Sequence, residues 1–229
     1  MDASRHELVE WLSHDLRTPL TAIRVLVEAL EDGVVSDPET VARYHQMIGD
    51  QNARLTQLVD DLVELCRSDV GSVPLQFERI QMCDVLDEAV RTFAPLASYK
   101  VVELKTHIVG GPFEIDASSR ALHRALSNLL DNAVRHSPAG GCVHVEAGVH
   151  ADTESWVYVS VRDAGGGIAR SDLDRIFDAG FQSGGRDGQR GLGLAIARGL
   201  IEAHHGHLTV CNEDDGARFT FRLPRSAAA

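Results

Sequence analysis

The residues best suited to do chemistry near the start of the chain lie in the segment SHDLRTPL, Ser13–Leu20. This segment places His14, Asp15 and Thr18 within about one turn of a predicted helix. The imidazole is offset by about 200° from the leucines two residues to either side, so we expect it to face solvent. The neighbouring carboxylate could take a proton from one ring nitrogen while the other attacks an electrophile. An exposed helical histidine with no role is the alternative interpretation.

A second segment, LSNLLDNAVRHS over residues 126–137, predicts a helix with two different faces. Leucines form the apolar face, and the opposite face presents Arg124, Asn128, Asn132 and His136 at intervals of four residues. Amide oxygens suit Mg²⁺, and basic groups suit phosphates. The spacing therefore favours a magnesium and phosphate site on this face, with an ordinary polar solvent face as the alternative.

A carboxylate and three glycines follow a predicted strand later in the chain. The strand ends at Asp163, and the glycines 165–167 allow a tight turn after it. A carboxylate in this position could accept a hydrogen bond from an exocyclic amine, while the glycines let a ring approach the backbone closely. An ordinary turn would give the same pattern.

A longer glycine-rich stretch, residues 184–193, comes directly before an apolar helix. It offers backbone N–H groups and the positive end of a helix to phosphate oxygens, and it carries Arg186 and Arg190. The stretch also has the composition expected of a lid. It lacks the P-loop spacing, and no strand leads straight into it, so neither the P-loop nor the dinucleotide-binding fingerprint fits.

Two long predicted helices precede the α/β part of the chain. Apolar residues recur every three or four positions over residues 8–30 and again over 41–65, which predicts helices of about 25–30 residues. Between them, Gly33 suits a helix end, Asp37 an N-cap and Pro38 the first helical position. Two antiparallel helices cannot bury both apolar faces in one hairpin, so we predict a dimer that forms a four-helix bundle.

The pattern changes to mixed α/β after a short linker. We place the helical hairpin at residues 1–69, the linker at 70–74 and a second domain at 75–229. The predicted elements of that domain, in chain order, are strands in LQFERI and VVELKTHIV around a helix at about 82–98, a helix at about 118–136, strands in CVHVEAGV and WVYVSVRD, a helix at about 192–204, and a terminal hairpin of HLTVCNE and ARFTFRLP.

The composition excludes several classes of protein. The chain has 229 residues, of which 44% are hydrophobic and 24% charged, as is typical of globular domains. The net charge of −12 argues against a nucleic-acid surface, and no apolar run reaches the ~18–20 residues that span a bilayer. The four cysteines and 11 histidines lack zinc-site spacing, so we expect reduced, buried thiols and no histidine-bound metal.

The order of these segments resembles the core of a sensor histidine kinase of a two-component system. The matching motifs are SHDLRTPL, NLLDNAVRHSP, DAGGGI, IFDAGF, GLGLAIAR and a closing G-x-x-F, and the resemblance covers about residues 5–224. It implies an α+β protein, in which a helical hairpin for dimerisation and phosphotransfer precedes an α/β sandwich. That sandwich, a mixed sheet covered by helices, is the ATP-binding domain shared with gyrase, Hsp90 and MutL-type ATPases.

The resemblance implies a role for each motif. His14 matches the phosphoacceptor, Asp15 its acid/base partner, and Thr18 the residue that orients water for dephosphorylation of the response regulator. Asn132 matches the Mg²⁺-binding asparagine, and Asp163 the carboxylate that holds the adenine amino group. The other residues that match positions at the nucleotide, its phosphates or the lid are Asn128, Arg135, His136, Gly165, Gly167, Phe177, Phe181, Arg190, Gly191, Leu192 and Gly193.

These matches imply autophosphorylation on His14 with ATP and Mg²⁺. The phosphoryl group would pass to an aspartate of a response-regulator receiver domain, with phosphatase activity toward that regulator. The implied assembly is a homodimer through the helical hairpin, without nucleic acid. Two alternatives stay open. One is a non-catalytic dimeric scaffold, against which the intact His14, Asp15, Asn132 and Asp163 weigh, and the other is a gyrase/Hsp90-like ATPase without a phosphohistidine, against which the upstream hairpin with SHDLRTPL weighs.

The sequence departs from the family pattern in two places. The segment between Phe181 and Gly191 is short and carries arginines, and Ala217 stands where threonine is common in the closing G-x-x-F motif. A sensor domain and any membrane anchor would lie upstream of the helices. We therefore expect the cytoplasmic portion of a longer protein, and attachment of that protein to the inner face of the cell membrane stays open.

Overall fold

The computed structural model describes residues 2–70, 75–111, 113–149, 156–181 and 191–225, without the side chains of residues 2–15, 54, 57, 58 and 60–70. The described chain divides into two compact units, one that ends at Cys66 and one that begins at Arg67. No helix among the described residues is long and apolar enough to cross a membrane.

The described part of the first unit consists of α1 (Asp2–Glu31) and of α2 (Pro38–Val70) up to Cys66. Gly33 has φ +66° just after α1, a conformation that suits glycine. Asp37 caps α2, because its Oδ1 accepts the backbone N–H groups of Glu39 at 3.1 Å and Thr40 at 3.0 Å. Hydrogen bonds from Thr40 lower the pKa of Asp37, and the bond from the Thr40 side chain has a larger effect than the bond from its backbone. The predicted helix end, N-cap and first helical proline are confirmed.

The apolar residues of this unit are poorly covered within one chain. Of its described side chains, only Pro19 is buried. Leu20 and Val25 are each 55% exposed, and Met47 and Val59 are 43% and 49% exposed. Exposed apolar surface of this extent is typical of an interaction face, as the predicted dimer requires; the dimer itself stays a prediction.

The described residues of the second unit form three helices and seven strands. In chain order they are β1 (Glu78–Gln81), α3 (Met82–Tyr99), β2 (Glu103–Val109), β3 (Glu114–Ala117), α4 (Ser119–His136), β4 (Cys142–Val149), β5 (Trp156–Arg162), α5 (Gly193–Ala203), β6 (His207–Glu213) and β7 (Gly216–Pro224). Five strands form one sheet in the order β2-β4-β5-β7-β6, and β1 pairs with β3 in a small antiparallel sheet. Among the described strands of the large sheet, β2 and β4 are the one parallel pair, so the sheet is mixed, as predicted.

One face of the large sheet forms the core with the helices. Val159 and Val161 of β5 pair with Phe221 and Phe219 of β7, and all four are at most 1% exposed. The helices α3, α4 and α5 contact strands of this sheet. The predicted apolar face of α4 is fully buried, which contributes about 1.5–3 kcal/mol for each leucine; its members are Leu122, Leu126, Leu129 and Ala133.

The other face of the sheet is polar. Tyr158 on β5 donates its hydroxyl to Glu146 Oε1 on β4 at 2.7 Å. Its ring lies over Gly148, where a Cβ atom would come 2.8 Å from the hydroxyl oxygen. Burial, with the Glu146 carboxylate adding, raises the pKa of Tyr158 to about 12. Gly148 is therefore required by the aromatic ring of the neighbouring strand.

Two expectations need correction. Strand β3 was not among the predicted elements, because its four residues, EIDA, alternate charged and apolar side chains over too short a stretch. The three cysteines with described side chains are free but not buried: Cys83 and Cys142 are half-buried and Cys211 is exposed. Cys211 lies on the edge strand β6 and points to the polar face of the sheet, so the expectation of burial is wrong there.

Candidate functional site

Asp163 lies directly after β5 and is only 6% exposed. Its Oδ1 accepts the backbone N–H groups of Gly165 at 2.8 Å and Ala217 at 3.1 Å. Its own N–H donates to the carbonyl of Ala217 at 3.0 Å. These bonds fix the orientation of the carboxylate. No described residue donates a hydrogen bond to Oδ2, so this oxygen can accept a hydrogen bond from a ligand.

The glycines after Asp163 are required by close contacts. A Cβ atom at Gly165 would lie 2.9 Å from the carbonyl oxygen of His136, and one at Gly167 would lie 3.0 Å from Asn212 Oδ1. Gly166 and Gly167 also have φ of +80° and +78°. The backbone here carries no side chain that could block a planar group next to Asp163.

Two polar residues that the sequence analysis did not single out hold this loop in place. Ser137 is 2% exposed, and its Oγ accepts the N–H of Ala164 at 3.2 Å. Asn212 on β6 forms two hydrogen bonds with the backbone of Ile168, as donor at 2.7 Å and acceptor at 2.8 Å. No local pattern indicated Asn212, because it lies 44 residues along the chain from its partner Ile168.

The polar face of α4 presents Asn128 and Asn132, both half-buried. The Nδ2 atom of Asn128 is buried and has no hydrogen-bond partner among the described residues. Gly193, the first residue of α5, lies beside it, since a Cβ atom there would be 3.7 Å from Asn128 Oδ1. A buried donor without a partner costs about 1–3 kcal/mol, so this position favours a ligand with acceptor oxygens.

The end of α4 differs from the sequence expectation in one respect. The Nε of Arg135 lies 2.7 Å from Asp131 Oδ2, one turn earlier on the helix, so its guanidinium is paired within α4. His136 is exposed. Lys100 donates to the carbonyl oxygens of Arg135 at 2.6 Å and Val134 at 3.2 Å, which satisfies the carbonyl end of the helix.

The two ends of the glycine-rich segment meet. The N–H of Gly180 donates to the carbonyl of Gly191 at 2.9 Å, and a Cβ atom at Gly191 would lie 2.6 Å from the carbonyl oxygen of Phe181. Leu192 is fully buried, and its carbonyl accepts the N–H of Ile196 in α5. The candidate residues Arg186 and Arg190 lie between these ends, outside the described residues.

Two phenylalanines before this segment are each covered by an arginine. The guanidinium carbon of Arg175 lies 4.8 Å from the ring centroid of Phe181, and that of Arg198 lies 5.6 Å from the centroid of Phe177. Phe177 also contacts the core residue Phe219, edge to face, with centroids 6.4 Å apart. Phe177 thus packs against the core and Phe181 sits at the base of the segment.

The remaining candidates lie in the first unit. His14 and Asp15 are residues of α1, and their side chains fall outside the described part of the chain. Thr18, on the same helix, is exposed. The second unit, by contrast, brings together Asn128 with Gly193, and Asp163 with Gly165.

Comparison with known proteins finds two families in one chain. Residues 4–71 match the His Kinase A (phospho-acceptor) domain, and residues 117–227 match the histidine kinase-, DNA gyrase B- and HSP90-like ATPase. The sensor histidine kinase WalK of Bacillus subtilis is 31% identical over 229 residues, which cover 98% of this chain and 37% of WalK.

Two solved structures are similar to this chain over nearly all of its length. The structure of full-length ShkA in complex with AMPPNP has a TM-score of 0.73 and 27% identity, covering 98% of this chain and 46% of that one. The histidine kinase ThkA, solved with the response regulator TrrA, has a TM-score of 0.77 and covers 96% of this chain and 61% of that one. At 22% identity, the ThkA comparison supports the fold alone.

The chain belongs to the histidine kinase family of two-component systems. The order of its two matched domains and its helices followed by a mixed five-stranded ATPase sheet both agree with this assignment. The relative WalK is a sensor histidine kinase, and the second matched domain is of the ATPase type. The chain spans less than two thirds of the length of the curated relatives it matches.

Proposed function

We propose that this chain binds ATP with Mg²⁺ in its second unit and phosphorylates itself on His14. The observation that carries this proposal is the buried, unpartnered Nδ2 of Asn128 beside Gly193, at the start of α5. A helix start with an adjacent amide donor suits phosphate oxygens. The triphosphate would lie between the polar face of α4 and the segment that ends at Gly191 and Leu192.

The adenine would be recognised by Asp163. Its Oδ1 is engaged by two backbone N–H groups, which leaves Oδ2 to accept a hydrogen from the exocyclic amine. The glycines 165 and 167 place no side chain of their own beside the carboxylate, so the ring would approach the backbone there. Because the carboxylate orientation is fixed before binding, the base would bind without a cost for ordering Asp163.

The metal would be held by amide oxygens. Asn132, with Asn128 one turn earlier on α4, supplies neutral oxygen donors of the kind that Mg²⁺ prefers. Bound Mg²⁺ would neutralise charge on the phosphates. His136 is exposed at the end of the same face. Arg135 would have to leave Asp131 before it could contact a phosphate, and Arg190 and the N–H groups around Gly191 would approach from the lid.

The phosphoryl transfer itself would use the first unit. One imidazole nitrogen of His14 would attack the γ-phosphorus, the bond to the β–γ bridging oxygen would break, and ADP would leave. Asp15 would accept the proton from the other ring nitrogen. Catalysis of this kind is mostly positioning and electrostatics.

A receiver-domain aspartate would then take the phosphoryl group from His14. Thr18 would orient water for the reverse regulatory step, dephosphorylation of that receiver domain. The helical hairpin at residues 1–69 would form a homodimer, which would cover the exposed Leu20. The 70–74 linker would join it to the ATP-binding domain at 75–229, and the reaction would take place in the cytoplasm, where ATP is available.

Titration with ATP and Mg²⁺, followed by transfer of γ-labelled phosphate, tests this function. The unchanged chain should bind ATP only with Mg²⁺ present, become labelled, and pass the label to receiver domains offered as a panel. Asn132→Ala should abolish labelling, while Arg91→Ala, an exposed change on α3, should not. A chain that binds no ATP would contradict the proposal, and steady phosphate release without labelled protein would favour a gyrase/Hsp90-like ATPase.

A further inference from the structure

The loop after Asp163 is held at three points by the hairpin of β6 and β7. Asn212 bonds to Ile168, the carbonyl of Asp215 accepts the N–H of Gly166 at 2.5 Å, and the N–H of Ala217 donates to Asp163. Two of these contacts come from backbone atoms of the hairpin. Asn212 is the only side chain that the hairpin contributes to these three contacts, and nothing in the proposed function uses it.

The geometry at Asn212 requires both halves of its amide. The Oδ1 atom accepts the N–H of Ile168 at 2.8 Å, and Nδ2 donates to the carbonyl of the same residue at 2.7 Å. The amide also fills the space next to Gly167, whose Cβ atom would lie 3.0 Å from Oδ1. An aspartate has the same shape but would put an acceptor against the Ile168 carbonyl.

The hairpin does not depend on Asn212 for its own structure. Asp214, in its turn, lies 2.9 Å from Arg162 on β5, and Glu213 pairs with Arg218 of β7. The strands are joined by a continuous antiparallel register that includes Asn212 opposite Ala217. Loss of the Asn212 side chain should therefore free the loop and leave the sheet intact.

We propose that Asn212 is a positioning residue for the nucleobase. It fixes the backbone of Gly167 and Ile168 so that the space beside the Asp163 carboxylate keeps the width of a planar ring. This inference rests on the proposed binding of ATP at Asp163. Asn212 would affect how tightly the base binds. It would not affect the phosphates, which would bind near α4 and the start of α5.

Calorimetric titration of the Asn212→Ala and Asn212→Asp variants tests this assignment. The probes are ATP with Mg²⁺, and inorganic tripolyphosphate with Mg²⁺ as a competitor that lacks the base. Cys211→Ala is the matched control, since the neighbouring side chain points to the opposite face of the sheet. Thermal unfolding and the hydrogen-exchange rate of the Ile168 amide report on the fold and on the loop.

Both Asn212 variants should bind ATP about five- to tenfold more weakly. Two neutral hydrogen bonds that hold the loop are lost, and only part of their free energy contributes to ATP binding. Tripolyphosphate competition and the unfolding temperature should stay unchanged, and exchange of the Ile168 amide should be faster. The Cys211→Ala variant should match the unchanged chain in every readout. Asn212→Asp, being isosteric, keeps the test valid if the alanine variant does not fold.

Two results would overturn the inference. One is unchanged ATP affinity in both Asn212 variants, and the other is an equal loss of ATP and tripolyphosphate binding, which would indicate a general disturbance of the site. Failure of the unchanged chain to bind ATP is a separate result, because it would contradict the proposed function and remove the basis for this inference with it.

Discussion

The imidazole of His204 and the backbone of Ser118 are joined by a hydrogen bond of 3.0 Å, in which the Ser118 N–H donates to Nε2. The other ring nitrogen, Nδ1, donates to the carbonyl of Leu200 at 2.7 Å. His204 is 3% exposed, and its ring centroid lies 5.2 Å from that of Phe77. A single neutral imidazole thus connects the end of α5 with the start of α4.

This contact predicts a loss of stability in mild acid. Burial lowers the pKa of His204 below its ordinary 6.5, and the neighbouring His205 adds to the effect, against the hydrogen bond to Leu200. Above pH 6.5 the ring is neutral in both states. As the pH falls through 6.5 the unfolded chain gains a proton that the folded chain does not, so the free energy of unfolding falls until the pH reaches the folded-state pKa.

Denaturant unfolding of the second unit at a series of pH values from about 8 to about 5 measures this effect. His204→Gln should be less stable at the upper end, because its buried partners lose their geometry, and its stability should fall less steeply with pH. His107→Gln, an exposed change on β2 in the same unit, should leave the slope alone. An equal slope in the His204 variant and the unchanged chain would refute the assignment.

Replacement of Asp163 by asparagine should separate ligand binding from folding. The amide oxygen can still accept the N–H groups of Gly165 and Ala217. The amide NH₂ group replaces the second oxygen, so two hydrogen-bond donors, this group and the adenine amine, would face each other. ATP affinity should fall about ten- to a hundredfold, with little change in the unfolding temperature. Titration calorimetry and thermal unfolding on the same sample provide both readouts.

Asp214→Asn serves as the control for Asp163. It removes an exposed carboxylate of the adjacent hairpin turn, and with it the ion pair to Arg162. Since exposed ion pairs contribute only about 0–1 kcal/mol, ATP affinity should not change. Equal ATP affinities for the Asp163→Asn variant and the unchanged chain would show that Oδ2 does not contact the base.

Gly191→Ala should disturb the closed base of the glycine-rich segment. The new methyl group would lie 2.6 Å from the Phe181 carbonyl oxygen and from the backbone of Gly180, which cannot move without breaking the hydrogen bond between residues 180 and 191. ATP affinity should fall by at least about tenfold. Gly49→Ala on α2 meets no atom within 4 Å and should stabilise its helix by about 1 kcal/mol, with normal ATP binding.

Val101→Gly should stabilise the protein. Val101 is 65% exposed and has φ +58°, a backbone conformation that is strained for a β-branched side chain. The strain, of order 1–3 kcal/mol, exceeds the entropy cost of glycine, so a gain of about 0.5–1 kcal/mol is expected from chemical denaturation. The same change at Val109, exposed on the strand β2, should destabilise; a loss at both positions would contradict the strain argument.

Much of the fold could be predicted from local patterns. The alternation of residues 142–149 and 207–213 gave both strand boundaries, because one side of each strand faces the core and the other does not. The capped turn at Asp37 and Pro38 could be predicted for a similar reason, since an N-cap is a property of adjacent residues. Strand β3 is too short for its alternation to be distinguished from a loop.

The contacts between segments that are distant in the sequence could not be predicted in this way. Asn212 reaches Ile168, and His204 reaches Ser118, only because the sheet and helices bring distant segments together. The pairing of Arg135 with Asp131 was visible as an i, i+4 spacing, but the match to a phosphate-binding position competed with it. Whether Arg135 pairs with Asp131 or with a phosphate depends on the bound ligand, and the sequence carries no information about it.

The most direct test of the central claim is incubation with γ-labelled ATP and Mg²⁺, followed by treatment with acid and with base. The unchanged chain and a His6→Gln control on the same helix should acquire label that acid removes and base does not, and His14→Gln should acquire none. Label retained by His14→Gln, label stable to acid, or no label on a chain that binds ATP tightly would contradict autophosphorylation on His14.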